Sequence, residues 1–155
     1  MTLFKSFIRN KRGGVIVESA LILPLMISAG LSGLDASNML IQNHKLEGQL
    51  AMAGTYLSKS DNPVARESAA KNLAVTGDIS GTGPARVKGW TAGDITVSYL
   101  ATSNTNGDYR GESNIETVKI YTELDYKGFG ILSSIMPNGI TIKAEVQERI
   151  VGGGL

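Results

Sequence analysis

No cysteine occurs among the 155 residues, so disulfides, thiolate metal sites and thiol catalysis are excluded. A single histidine, His44, excludes a multi-histidine metal centre. Charge is scarce and nearly balanced, fifteen Lys and Arg against fourteen Asp and Glu, for a net charge of +1. A dedicated nucleic-acid binder normally carries a basic excess, and this chain has none. The serines lack a G-x-S-x-G elbow, and Glu145 and Glu148 fall on opposite faces of any strand, so no nucleophile–base or paired-carboxylate arrangement is in sight. Gly81-Thr82-Gly83 lacks the strand-to-helix context and the Lys-Ser/Thr of a phosphate loop. Asn104, Asn106 and Asp108 around Gly107 approach the oxygen spacing of a calcium loop but have no acidic twelfth position, and a solvated hairpin loop is the better reading. These absences leave no enzyme, metal or cofactor expectation.

What is present is one modest domain's worth of chain, 42% hydrophobic, neither disordered nor polytopic in composition. Its charge and apolar residues are unevenly placed. Residues 1–13 hold Lys5, Arg9, Lys11 and Arg12 and no acid. The remainder has eleven basic and fourteen acidic residues, a slightly acidic body behind a basic tag. From Val15 to Leu34 the only charge is Glu18. About 20 largely apolar residues suffice to cross a bilayer as a helix. Basic residues before such a segment stay cytoplasmic, which places everything after Leu34 on the far side.

Three readings compete for this segment. A cleaved secretory signal shares the basic start, but this apolar run is long, carries an acid, and offers only Ser28-Ala29-Gly30 as a weak exit. Release there would yield a soluble exported domain. A permanent single-pass anchor fits the hydropathy and leaves Glu18 unexplained, since a charge in hydrocarbon costs roughly 3 kcal/mol or more. Glu18 could also sit at the membrane edge and snorkel to the headgroups.

The third reading comes from the string Arg12-Gly13-Gly14-Val15-Ile16-Val17-Glu18, which resembles a type IV prepilin processing site. In that family a basic leader ends in Gly and Glu stands fifth in the mature chain; a cut between Gly13 and Gly14 makes Glu18 the fifth residue. The longer string Val17-Glu18-Ser19-Ala20-Leu21-Ile22-Leu23-Pro24 is similar to the TadE-like pseudopilins of the tight adherence (Tad, or Flp) pilus system. Their N-termini read roughly Gly-x-x-x-Val-Glu-Phe-Ala-Leu-x-x-Pro. Ser19 stands where that pattern has an aromatic, which leaves the subfamily open. The close match covers residues 9–34; beyond it only the layout is shared, a long helix followed by a strand-rich head. Major Flp pilins are little more than the helix, and TadG-type partners carry a larger extra domain, so a head of this size implies a minor pilin.

Bottom-up, the residues suit such a role. Glycine at the cut lets a protease approach the backbone without a side chain in the way. Cleavage makes an ammonium at Gly14, and the Glu18 carboxylate lies one helical turn away. The same carboxylate could pair with the amine of a neighbouring subunit and set axial register.

The pattern predicts a helix from Gly14 to about Leu57, with Pro24 expected to kink or locally unwind it. Ala29, Gly33 and Ser37 make a small-residue stripe beside a second one of Ser28, Ser32 and Ala36. Such stripes let helices approach in lipid, whether in a filament or in an ordinary transmembrane dimer. After Asp35, Met39, Leu46, Leu50, Ala53 and Leu57 share a face expected to lie against the head, whereas His44 falls on the polar side.

The fold class is thus α+β. Residues 1–13 form a basic leader, 14–57 the assembly helix, 58–151 the head and 152–155 a mobile tail. In the head, Asp61-Asn62-Pro63 starts a second helix ending near Thr76 at Gly77. Residues 77–93 read as a loop, with Trp90 plugging the core edge. Alternation predicts roughly three antiparallel strands, with Ile95, Val97 and Tyr99 inward in the first, Val118 to Tyr126 in the second, and Ile140 to Val146 in the third. Phe129–Met136 is apolar without alternation, either a helical turn or a docking patch.

The resemblance implies a minor pilin held in the bacterial inner membrane, head on the periplasmic side, then moved to an extracellular pilus. It implies as partners a prepilin peptidase, the Tad inner-membrane assembly machinery, other minor pilins and the major Flp pilin. The alternative is a permanently anchored envelope protein whose exported head is a binding module.

Overall fold

The computed structural model describes residues 12–110, 112–128 and 139–152. Helix α1 spans Arg12–Ser58, 47 residues or about 70 Å at 1.5 Å per residue. It is one residue longer at its C-terminal end than the pattern predicts. It runs continuously across Pro24, so the local unwinding expected there does not interrupt it. A proline removes one N–H and leaves the rest of the ladder available. The Ser28 hydroxyl also donates to the Pro24 carbonyl at 2.8 Å.

Beyond α1 the chain makes a single 3₁₀ turn, Val64–Arg66, and then α2, Glu67–Thr76. Asn62 begins this segment as expected, its Oδ1 accepting the Ala65 N–H at 3.1 Å, although the first turn is 3₁₀ and the α-helix proper starts later. Gly77 closes α2 in the left-handed conformation, φ 83°, with its N–H on the Leu73 carbonyl at 2.8 Å. The Arg86 guanidinium packs where a Gly77 side chain would project, and its Nε donates to the Thr76 carbonyl at 3.1 Å. A basic side chain so placed also complements the helix dipole.

Three strands follow: β1, Ile95–Ser103; β2, Asn114–Asp125; and β3, Thr141–Arg149. They form an antiparallel meander in the order β1-β2-β3. Ile95 faces Thr122, which in turn faces Ala144, so one inward row crosses all three strands. The sheet packs against α1 and α2 lies alongside, giving the α+β architecture that the sequence predicts. Phe129–Met136 lies outside the described residues, as do the leader up to residue 11 and residues 153–155.

The core is where the second half of α1 meets this sheet. Leu46, Leu50, Ala53 and Leu57 are buried, with Met39 packed at the rim. They meet Val118, Ile120, Ile142 and Ala144 from the sheet and Ala70, Ala74 and Val75 from α2. At Gly54 of α1 a methyl group would lie 3.0 Å from Glu148 Cγ of β3. Tyr99 departs from the expected pattern. Only Ile95 is buried in β1, and the strand from Ser98 to Ser103 is exposed because it overhangs both helices.

Trp90 is 1% exposed and plugs the core as expected, with a polar partner that alternation does not reveal. Its Nε1 donates to Thr122 Oγ1 at 2.9 Å, and that hydroxyl donates to the Asp94 carbonyl at 2.9 Å. A threonine in the middle of the core face is therefore fully satisfied. Asp94 is fixed in turn by a capping box with Thr91, whose N–H and hydroxyl both reach Asp94 Oδ2 at 2.8 Å.

Replacing Thr122 by Val keeps the shape but strands the Trp90 N–H in the core. Thr122→Val should destabilise the head by about 1–3 kcal/mol. Urea unfolding of the detergent-solubilised protein, followed by Trp90 emission, measures this.

Candidate functional site

Among the described residues, nothing covers the first half of α1. Eleven large apolar side chains between Val15 and Leu34 are exposed, Leu25 to 71%. Each is worth about 1.5–3 kcal/mol when removed from water, so together they far exceed the stability of a small domain. The helix is long and apolar enough to cross a membrane. Beyond Leu34 one face of the same helix becomes the floor of the head.

The sequence-predicted site residues all lie on this bare half or at its lower edge. Gly13 and Gly14 occupy the first turn of the described helix. Glu18 follows one turn on from Gly14, exposed, with no ion-pair partner among the described residues. Pro24, Ala29, Gly33 and Ser37 are exposed as well. A side chain at Gly14, Gly30 or Gly33 would meet nothing within 4 Å. Their small size therefore serves no contact among the described residues.

The serines of the stripes turn their polarity inward along the helix. Ser32 donates to the Ser28 carbonyl at 2.8 Å and Ser37 to the Gly33 carbonyl at 2.9 Å. A serine satisfied this way presents a nearly apolar surface to its surroundings. His44 is exposed, beside Glu47 at 3.5 Å, as its polar position predicts.

What sequence reading missed is the junction between bare helix and head. Asp35, the first charge after Glu18, is 1% exposed. The Tyr126 hydroxyl, just past the end of β2, lies 2.5 Å from Asp35 Oδ1 and 2.7 Å from the Asp35 carbonyl oxygen. Asn38 Nδ2 donates to the same hydroxyl at 3.2 Å. Gly128 packs so tightly here that a Cβ would collide with Asp35 Oδ1 and with the Tyr126 hydroxyl and ring. This is a close approach that only glycine permits. The available signal was the lone acid that bounds the apolar run, read only as the start of amphipathic pattern.

A second clasp ties the other end of the head. The Ser58 carbonyl accepts N–H groups from Val151 at 2.8 Å and Gly152 at 3.2 Å, and the Ser58 hydroxyl donates to the Arg149 carbonyl. Gly152, expected as the start of a mobile tail, is thus held by a hydrogen bond. At the hairpin end, Asn104 Nδ2 donates to the Tyr109 and Glu112 carbonyls at 2.8 and 2.7 Å. It is organising a loop, in keeping with the hairpin reading of that segment.

Burial, followed by the hydrogen bond to Asp35, raises the Tyr126 phenol above its ordinary pKa. No family model matches this chain, and neither a curated protein nor a solved structure matches it. Site and geometry carry the functional argument alone.

Two outcomes are expected at the junction. Gly128→Ala should destabilise the head more than Tyr126→Phe, because it separates the whole cluster where Phe removes one hydroxyl. The Phe variant should lose about 1–2 kcal/mol in thermal or urea unfolding. The Tyr126 contribution is full below about pH 10, the ordinary phenol value, and falls as pH rises through the raised folded value. The stability gap between wild type and Tyr126→Phe should therefore narrow in unfolding measured above pH 10.

Proposed function

We propose that this chain is a minor pilin of the TadE-like type, cut after Gly13 and assembled through its N-terminal helix into a Tad/Flp pilus. The observation that carries the reading is the bare half of α1: a Gly13-Gly14 pair, Glu18 one turn later, then an apolar surface that none of the described residues covers. A membrane accounts for the apolar surface, and processing and assembly account for the glycine pair and the acid as well.

The chemistry runs from these residues. Gly13 and Gly14 are among the poorest helix formers, each about 1 kcal/mol worse than Ala, so the first turn opens at small cost. A peptidase needs that opening to reach the amide between them. Hydrolysis adds water across the bond, leaves a carboxylate on Gly13 and frees the amine of Gly14. The new ammonium and the Glu18 carboxylate then lie about 6 Å apart along the helix axis. Pairing with this ammonium, or with that of a neighbouring subunit, offsets the penalty of an acid in the bilayer. The intersubunit pairing also fixes how far one helix slides along the next.

On this reading the small face at Ala29, Gly33 and Ser37 receives another subunit's helix, and Pro24 relieves local helix rigidity in a crowded bundle. The basic leader holds the N-terminus in the cytoplasm, and the head folds on the periplasmic side before entering the pilus. The partners are the prepilin peptidase, the Tad assembly machinery, other minor pilins and the major Flp pilin. The reaction is carried out on this chain, not by it.

Intact mass and N-terminal sequencing of the native protein test this, in cells with and without their prepilin peptidase. A start at Gly14 that depends on the peptidase is expected. An uncut N-terminus in both strains would favour a permanently anchored binding module, and a start near residue 31 a released periplasmic domain. Glu18→Ala should insert normally but enter the pilus about tenfold less, the effect of ~1.4 kcal/mol of lost pairing. Quantitative blotting of sheared pili against membranes reads that ratio, and wild-type incorporation of the variant would remove the role assigned to Glu18.

A further inference from the structure

The outer side of β1 is a sheet edge. Among the described residues β1 pairs with β2 alone, and its nine residues, ITVSYLATS, contain neither a charge nor a proline. Natural sheets usually guard long edges with Lys, Pro or a bulge, because unpaired N–H and C=O groups invite another strand. β3, at the other side of the sheet, carries Lys143, Glu145, Glu148 and Arg149. The difference lies in β1.

Beside this edge lies a pocket. Where β1 overhangs the helices, Tyr99 and Ala101 combine with Pro63, Val64, Glu116 and Ile150 to line an open groove of about 280 Å³. Its walls are mostly apolar, and Val64 is 65% exposed. Ala101 stands directly opposite Glu116 in the β1–β2 register. Glu116 is exposed and makes no ion pair among the described residues. Desolvation, followed by the nearby charge of Glu67, pushes the Tyr99 phenol up to about 12. The groove is therefore apolar with acidic margins, and no cation lines it.

We propose that this edge and groove receive an extended segment of a partner protein, which adds to the sheet alongside β1. Strand addition draws affinity from main-chain hydrogen bonds and specificity from pockets that take alternate side chains. Here the pocket sits where an added strand would place every second side chain. The segment that fits carries an apolar residue for the groove and a Lys or Arg long enough to reach over the small Ala101 to Glu116, one strand further in on β2. A second copy of the chain fits less well, because its own β1 has no basic residue to offer. The proposal does not depend on processing at Gly13 or on Glu18.

Selection from a phage-displayed library of random nonapeptides tests it, with the full chain in detergent micelles as bait. Enriched peptides should share alternating apolar positions and a basic residue. Affinity of a synthetic selected peptide, read by fluorescence anisotropy, should fall at least tenfold in Ala101→Trp, which fills the groove. Repeating the selection on Glu116→Lys should replace the basic residue by an acidic one. Both positions are exposed, and Trp90 emission checks that each variant is folded. No enrichment, enrichment without a charge preference, or a preference unmoved by Glu116→Lys would overturn the proposal. So would sedimentation showing that the wild type self-associates and that Ala101→Trp abolishes this, since the occupant would then be a second copy.

Discussion

One helix has to satisfy two surroundings, and the rest of the structure follows from that. Up to Leu34, α1 carries apolar side chains around its whole circumference, whereas from Asp35 onward only one face is apolar. A helix apolar all round is stable only in an apolar medium, and an amphipathic one needs a single partner surface. The head supplies that surface, and it starts where the circumference changes character. Asp35 marks the boundary and is itself buried, with the Tyr126 hydroxyl, just past the end of β2, hydrogen-bonded to it.

The head is fastened to this helix at both ends by polar contacts and held between them by apolar ones. Leu46, Leu50, Ala53 and Leu57 provide the bulk of the contact, which has little directional preference. Direction comes from the ends. Tyr126 on Asp35 and Val151 on Ser58 each have one geometry, so the sheet cannot slide along the helix without breaking one of them. Thr122 does the same within the sheet, by anchoring Trp90 and the turn at Asp94 to the central strand. Buried polar groups of this kind specify an arrangement more than they stabilise it.

Most of the architecture was legible because periodicity reports burial directly. The bare helix, its change to amphipathic pattern, the second helix and the alternation in β2 and β3 all reflect which face meets the core. β1 was read as half-buried along its length because Tyr99 continues the alternation, yet pattern does not say where the covering helix ends. The junction was hidden for a different reason. Asp35, Asn38, Tyr126 and Gly128 are isolated residues in sequence and become a cluster only when β2 is laid along α1. Gly13, Gly14 and Glu18 stood out because they are local, a short string whose spacing can be read without a fold. Their partners, if they lie in other molecules, leave no trace in the folded chain.

Both fastenings of the head join residues 91 apart, Asp35 to Tyr126 and Ser58 to Arg149. The strip of α1 that forms the floor is synthesised well before β3, which completes its cover. During that interval Leu46, Leu50 and Leu57 lack their sheet, on the same helix whose stretch from Val15 to Leu34 is largely apolar. Loop closure over such a distance is slow compared with forming a helix. The polar residues interleaved there, Asn43, Lys45, Glu47 and Gln49, consequently acquire a role in timing: they keep the rest of this stretch of helix polar, so that a single apolar face waits for the sheet.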